Sequence, residues 1–115
     1  MRFAILHHTG IPSPHFDLLI ETGPDALLLT FRLEHWPITA PAPADITRQA
    51  DHRRVYLEYE GPISGNRGEV RRIASGECIC STLTASIIDL TLQLATPIRL
   101  HLTHVQADQW RCTML

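Results

Sequence analysis

A chain of 115 residues is long enough for one hydrophobic core and too short for a second, so residues 1–115 read as a single domain. The composition, 44% apolar and 19% charged, argues against a disordered tail, and a net charge of −2 argues against a protein that coats nucleic acid through phosphate contacts. All ten basic residues are Arg; this rules out lysine chemistry and leaves planar forks suited to phosphate, although genomic bias accounts for it equally well.

The first apolar stretch, Arg2–His8, reads as a strand and is too short for a signal peptide or a membrane span. A turn over Gly10–Pro14 follows, then a second strand over His15–Glu21. On a strand, alternate residues share a face, which puts His15, Asp17, Leu19 and Glu21 on one side and Phe16, Leu18 and Ile20 against the core. An imidazole and a carboxylate two residues apart suit one divalent ion, with His8 as the natural third ligand because the loop folds back beside it. His7 points to the opposite face. Surface histidines beside a solvated Asp would leave the same pattern.

Gly23-Pro24-Asp25 marks a turn before a strand over Ala26–Leu33, and Pro37–Pro43 reads as a linker, with disorder expected only near Pro41–Ala44. Ala44–Ala50 is the best helix candidate, with Asp45 as its cap. The polar run Asp51-His52-Arg53-Arg54-Val55-Tyr56 then leads into a strand over Tyr56–Tyr59. Its His, Arg and Tyr side chains are of the kind that hold a phosphate, or else it is a polar loop. Gly61–Gly68, with Asn66 and Arg67 among its glycines, suits either anion contact through Arg67 or a plain hairpin turn.

Ser75-Gly76 reads as another turn. Cys78, Cys80 and Cys112 lack paired metal-ligand spacing; the odd count fits a reducing compartment, and a cytoplasmic protein is expected. From Ile88 to Leu94 the even positions are apolar and the odd ones polar, a period of two repeated from Ile98 to His104 across the Ala95-Thr96-Pro97 junction. With a last strand over Trp110–Leu115, the expectation is all-β: a compact barrel of short antiparallel strands with at most one short helix.

The order of these pieces resembles the 3′-phosphoesterase domain of bacterial DNA ligase D and its stand-alone relatives. That family opens with a strand ending in His and a short loop, then His-aromatic-Asp-x-x-x-Glu, seen here as Ile5-Leu6-His7-His8 and His15-Phe16-Asp17-Leu18-Leu19-Ile20-Glu21. Its later features correspond to Thr30-Phe31-Arg32-Leu33, the proline-rich linker, Asp51-His52-Arg53-Arg54-Val55-Tyr56, Tyr59-Glu60-Gly61 and Gly65-Asn66-Arg67-Gly68. The resemblance implies a divalent metal, manganese first and zinc or cobalt next, on His8, His15 and Asp17. It also implies catalytic contacts from His52 and Tyr56, and phosphate or substrate contacts drawn from Arg54, Arg67, Arg32 and Glu21. The implied activity is removal of a 3′-phosphate or 3′-ribonucleotide from nucleic-acid ends in DNA repair, with a separate ligase or polymerase as a possible partner and no membrane.

The chain departs from the family in four places. Leu19 stands where the family has a phosphate-binding Arg, Ala50 where it has Glu and Leu6 where it has Gln, and the loop between His8 and His15 is one residue longer. Leu19→Arg is therefore expected to raise activity. The alternative reading, favoured by Leu19 and Ala50, is a weakened or inactive module on the same fold that binds nucleic-acid ends or proteins.

Overall fold

The computed structural model describes residues 1–38 and 43–115; the centre of the expected Pro37–Pro43 linker, with the first half of the Pro41–Ala44 segment where disorder was expected, lies outside the described residues. Nine strands run in chain order: β1 (Arg2–Thr9), β2 (His15–Ile20), β3 (Leu28–Leu33), β4 (Ala44–His52), β5 (Gly61–Pro62), β6 (Glu69–Leu83), β7 (Ile87–Leu92), β8 (Ile98–Gln106) and β9 (Gln109–Met114). All their pairings are antiparallel. Eight of them form the ring β1-β2-β3-β4-β9-β8-β7-β6, closed by a second pairing of β1 with β6, while β5 adds a short pairing to β6. Closure leaves the ring no unpaired edge. The all-β barrel expected from the sequence is the architecture observed, and among the described residues no helix is long and apolar enough to cross a membrane.

The interior is filled from every side by alternate residues: Phe3 and Ile5 of β1, Leu18 and Ile20 of β2, Phe31 of β3, Ile46 of β4, and the even-numbered Ile88, Leu90, Leu92, Leu100 and Leu102 of β7 and β8. Period-two alternation places these side chains inside and their polar neighbours outside. A second, smaller cluster lies on the outer face, where Ala4, Leu6, Leu19, Leu28 and Val70 pack beneath Leu57. Leu57 belongs to a single 3-10 turn, Arg54–Leu57. The β1–β2 hairpin is thus apolar on both faces, which explains why β2 reads as a nearly continuous apolar run after Asp17.

Three sequence expectations are corrected. Ala44–Ala50 is not a helix but most of β4, held by β3 on one side and β9 on the other; the ladder overrides the helical preference of Ala, Gln and Arg. Tyr56–Tyr59 is not a strand, because the chain there winds into the 3-10 turn that buries Leu57. Ser75-Gly76 does not end a strand: both residues sit within β6, which pairs with β1 through its first half and with β7 through its second. Gly76 has φ +152°, a value that side-chain-bearing residues rarely adopt, so it permits a distorted stretch of strand.

Candidate metal and phosphate site

Register on the outer face of the β1–β2 hairpin assembles the first part of the site. His8 pairs with His15 and Leu6 with Asp17, so all four side chains share one face. One ligand atom from each of His8, His15 and Asp17 lies within 4.8 Å of the others. The two imidazoles meet edge to face at 5.1 Å, and His15 Nε2 is 3.2 Å from Asp17 Oδ1. His7 lies on the opposite face, stacked on Phe16 at 4.4 Å.

Backbone carbonyls fix which nitrogen each histidine presents. His15 Nδ1–H donates to the Ser13 carbonyl at 2.9 Å, leaving Nε2 as the lone pair toward Asp17. His8 Nε2–H donates to the Arg67 carbonyl at 2.8 Å, leaving Nδ1. A carbonyl only accepts, so each bond sets the tautomer and frees the other nitrogen, the arrangement found around metal-bound histidines. The second bond depends on Gly68, whose φ is +77° and where an added Cβ would lie 2.1 Å from the Thr9 carbonyl oxygen. Only glycine lets the Gly61–Gly68 loop lie against the end of β1.

Asp17 is 3% exposed. Burial pushes its carboxyl up, opposed by the neighbouring imidazoles of His15, His52 and His8 and by Arg32. A buried carboxylate needs compensation for lost hydration, and a divalent cation shared with two imidazoles provides it. Two nitrogens and one carboxylate oxygen on one face, backed by carbonyl-held rings, form a donor set suited to a divalent transition metal.

The second part of the site comes from the end of β4 and the segment after it. His52 donates Nδ1–H to the Ala50 carbonyl at 2.9 Å, which frees Nε2, and its ring is 5.8 Å from that of Tyr56. Tyr56 rides on the 3-10 turn. A cavity of about 610 Å³ is lined by His8, Asp17, His52, Arg53, Tyr56 and Arg67 among others. The hairpin and the His52–Tyr56 segment thus face one space, although 35 residues separate Asp17 from His52 in the chain (52 − 17).

The remaining candidates divide. Arg67 lines the cavity, with Nε–H bonded to the Ser64 carbonyl at 2.7 Å. Arg32 pairs in register with Asp17, but its Nε–H donates to Glu34 at 3.0 Å and its Nη2–H to Ser13 Oγ at 2.7 Å. Arg54 and Glu21 do not line the cavity. Arg54 ion-pairs with Glu21 and donates to the Gly23 and Ala26 carbonyls at 2.8 and 3.2 Å, a clamp that ties the 3-10 turn to the β2–β3 connection. Glu21 also accepts from the Arg2 backbone at 3.1 Å.

Arg53, not selected from the sequence, lines the cavity, with its guanidinium 5.7 Å from the Tyr56 ring centroid. Its signal was the adjacent Arg pair, of which the 3-10 turn sends one member to the clamp and the other to the cavity. Leu6 and Ala50 also line the cavity. Leu19 does not: it is fully buried beneath Leu57, and the expectation that an Arg there would reach a phosphate does not suit this barrel. No protein-family model matches the chain, and no curated protein does either.

Proposed function

We propose that this protein is a metal-dependent phosphoesterase acting on nucleic-acid 3′ ends, with 3′-phosphate or 3′-ribonucleotide removal as its reaction. The observation that carries the reading is the single cavity lined by His8 and Asp17, two members of the His8, His15 and Asp17 cluster, together with His52, Tyr56 and two guanidinium groups, Arg53 and Arg67. His8, His15 and Asp17 would hold manganese, or zinc or cobalt. Bound there, the metal supplies Lewis-acid polarisation of a phosphoryl oxygen and a more acidic water.

The chain's own groups provide the rest. Arg53 and Arg67 neutralise the phosphoryl oxygens, and the Tyr56 hydroxyl donates to one of them. As the water oxygen bonds to phosphorus and the bond to the ester oxygen breaks, the His52 imidazolium gives its Nε2 proton to that leaving oxygen, and the proton shed by the attacking water passes to solvent, from which His52 is reprotonated. The bond from Nδ1 to the Ala50 carbonyl keeps Nε2 turned to this task. Free cysteines, two of them buried, suit a reducing cytoplasm, where a separate ligase or polymerase would use the cleaned end.

The test is hydrolysis of 3′-phosphate and 3′-ribonucleotide primer-templates with manganese, zinc, cobalt or EDTA. Metal-dependent release that His52→Ala abolishes without unfolding the chain supports the proposal. The second reading, an end-binding module without catalysis, is favoured by Leu6 and Ala50, which line the cavity with apolar groups where the family resemblance implies Gln and Glu. Tight binding of 3′-phosphorylated ends with no turnover under any of these metals would select it.

A further inference from the structure

A second cleft, of about 330 Å³, lies beside the metal cavity and shares Arg53, Tyr56, Ile63 and Ser64 with it. The two spaces therefore adjoin at Tyr56. Their chemistry differs. The metal cavity gathers imidazoles and carboxylates, whereas the cleft has neither in its lining and adds Val55, Tyr59 and Pro62.

Tyr56 and Tyr59 meet edge to face, 5.9 Å apart at 88°. The Tyr59 hydroxyl donates to the Pro62 carbonyl, so this side chain presents its ring rather than a free hydrogen-bonding group. Arg53 is exposed and has no carboxylate partner among the described residues. Two phenol rings and apolar walls favour a flat π-system over an aliphatic group, and the Arg53 guanidinium at the junction of the two spaces can lie over it.

We infer that this cleft is a stacking subsite for a planar nitrogen heterocycle, the base of the nucleotide whose phosphate occupies the metal cavity. The inference rests on the phosphoesterase reading for where the phosphate goes, and it extends that reading by assigning Tyr59 a role in substrate choice. Tyr56 sits between the two spaces, its hydroxyl directed to phosphate chemistry and its ring forming part of the wall along which the base lies. The volume accommodates one ring system.

Calorimetric titration of the full chain with adenosine 3′-monophosphate and with glycerol 2-phosphate, a base-free monoester, tests this. Both titrations are run with EDTA so that no turnover intervenes. The wild type should bind the adenosine ligand roughly five- to a hundredfold more tightly, the range expected for one stacked base. Tyr59→Leu should erase most of that preference while leaving glycerol 2-phosphate binding within about twofold, and Tyr59→Phe should restore it.

Equal affinity of the wild type for the two ligands overturns the inference without any variant, so a Tyr59→Leu chain that fails to fold does not shield it. Equal weakening of both ligands by Tyr59→Leu overturns it too. Hydrolysis is scored separately with manganese: base-selective binding without turnover leaves the subsite standing and removes the enzyme, and turnover without base preference does the reverse.

Discussion

The backbone carbonyl of Arg67 lies 2.8 Å from Nε2 of His8, although 59 residues separate them. The loop that brings Arg67 to the cavity also orients a metal-ligand candidate, so the two halves of the site are mechanically linked. Gly68 is the hinge of that link, since its backbone lies against Thr9 and Gly10.

Gly68→Ala should therefore act at a distance. The new Cβ would meet the Thr9 carbonyl at 2.1 Å, on a residue already at φ +77°, and the loop must retreat. Loss of such a supporting hydrogen bond typically weakens metal binding about 10- to 100-fold. Strain of this kind costs about 1–3 kcal/mol of stability. Metal titration and a denaturant melt on the same sample check both; unchanged metal affinity would detach Arg67 from the role given to it.

Asp17 predicts how metal-free stability depends on pH. Its folded-state pKa is raised above the ordinary 3.8, chiefly by burial. The favourable protonated form is fully present below the unfolded value, and its contribution is lost as pH rises through the folded value. The metal-free chain should lose stability over that window, and Asp17→Asn should flatten the loss while abolishing metal binding. Parallel melts from pH 3 to 8 with EDTA read the difference directly; a variant curve parallel to the wild type would refute the assignment.

Glu21 has the opposite sign. Its pKa is lowered, first by the Arg54 side-chain hydrogen bond, so its stabilisation holds above about 4.5 and disappears as pH falls through the folded value. Glu21→Gln should be less stable than wild type at neutral pH by about 1–3 kcal/mol, the usual range for a hydrogen bond to a charged group. The gap should close in acid. Arg54→Met should show a similar loss and raise KM by loosening the turn that carries Tyr56.

The sequence alone expects Leu19→Arg to increase activity; the barrel reverses that. Leu19 is 0% exposed, packed with Ala4, Leu6, Leu28 and Leu57. An unpaired guanidinium there should cost more than about 4 kcal/mol and leave little folded protein. Far-UV circular dichroism and a denaturant midpoint decide it. A well-folded, more active variant would mean that the turn over Leu57 can lift.

Legibility in the chain depends on how cleanly each residue's surroundings match its period. β7 and β8 face water on one side only, and their alternation named the buried residues correctly. β2 placed His15 and Asp17 on one face because residues two apart share a side of any strand, even one covered on both faces. β4 was missed because only Ile46 of its nine residues is buried, so it carries almost no hydrophobic signal, while Asp45 imitates a cap. β6 was missed, with Ser75-Gly76 read as a turn, because a glycine in a distorted strand and one in a turn look alike in sequence. Arg53 and Arg54 were ranked in the wrong order because strand alternation stops at His52, and the 3-10 turn after it faces its side chains differently.

The barrel's two-sided hairpin also separates what is stiff from what is adjustable. His8, His15 and Asp17 stand on strands sealed above and below, so exchange of their backbone amides should require opening the whole ring. Arg53, Tyr56 and Arg67 belong to short segments on top, fastened by one buried leucine, one clamp and a few loop bonds, and His52 ends β4 beside them. Amide protection should fall in a step between these two groups. Substitutions at Arg53 and Tyr56 can then reshape the cavity wall while the strand register that brings His8, His15 and Asp17 together is kept.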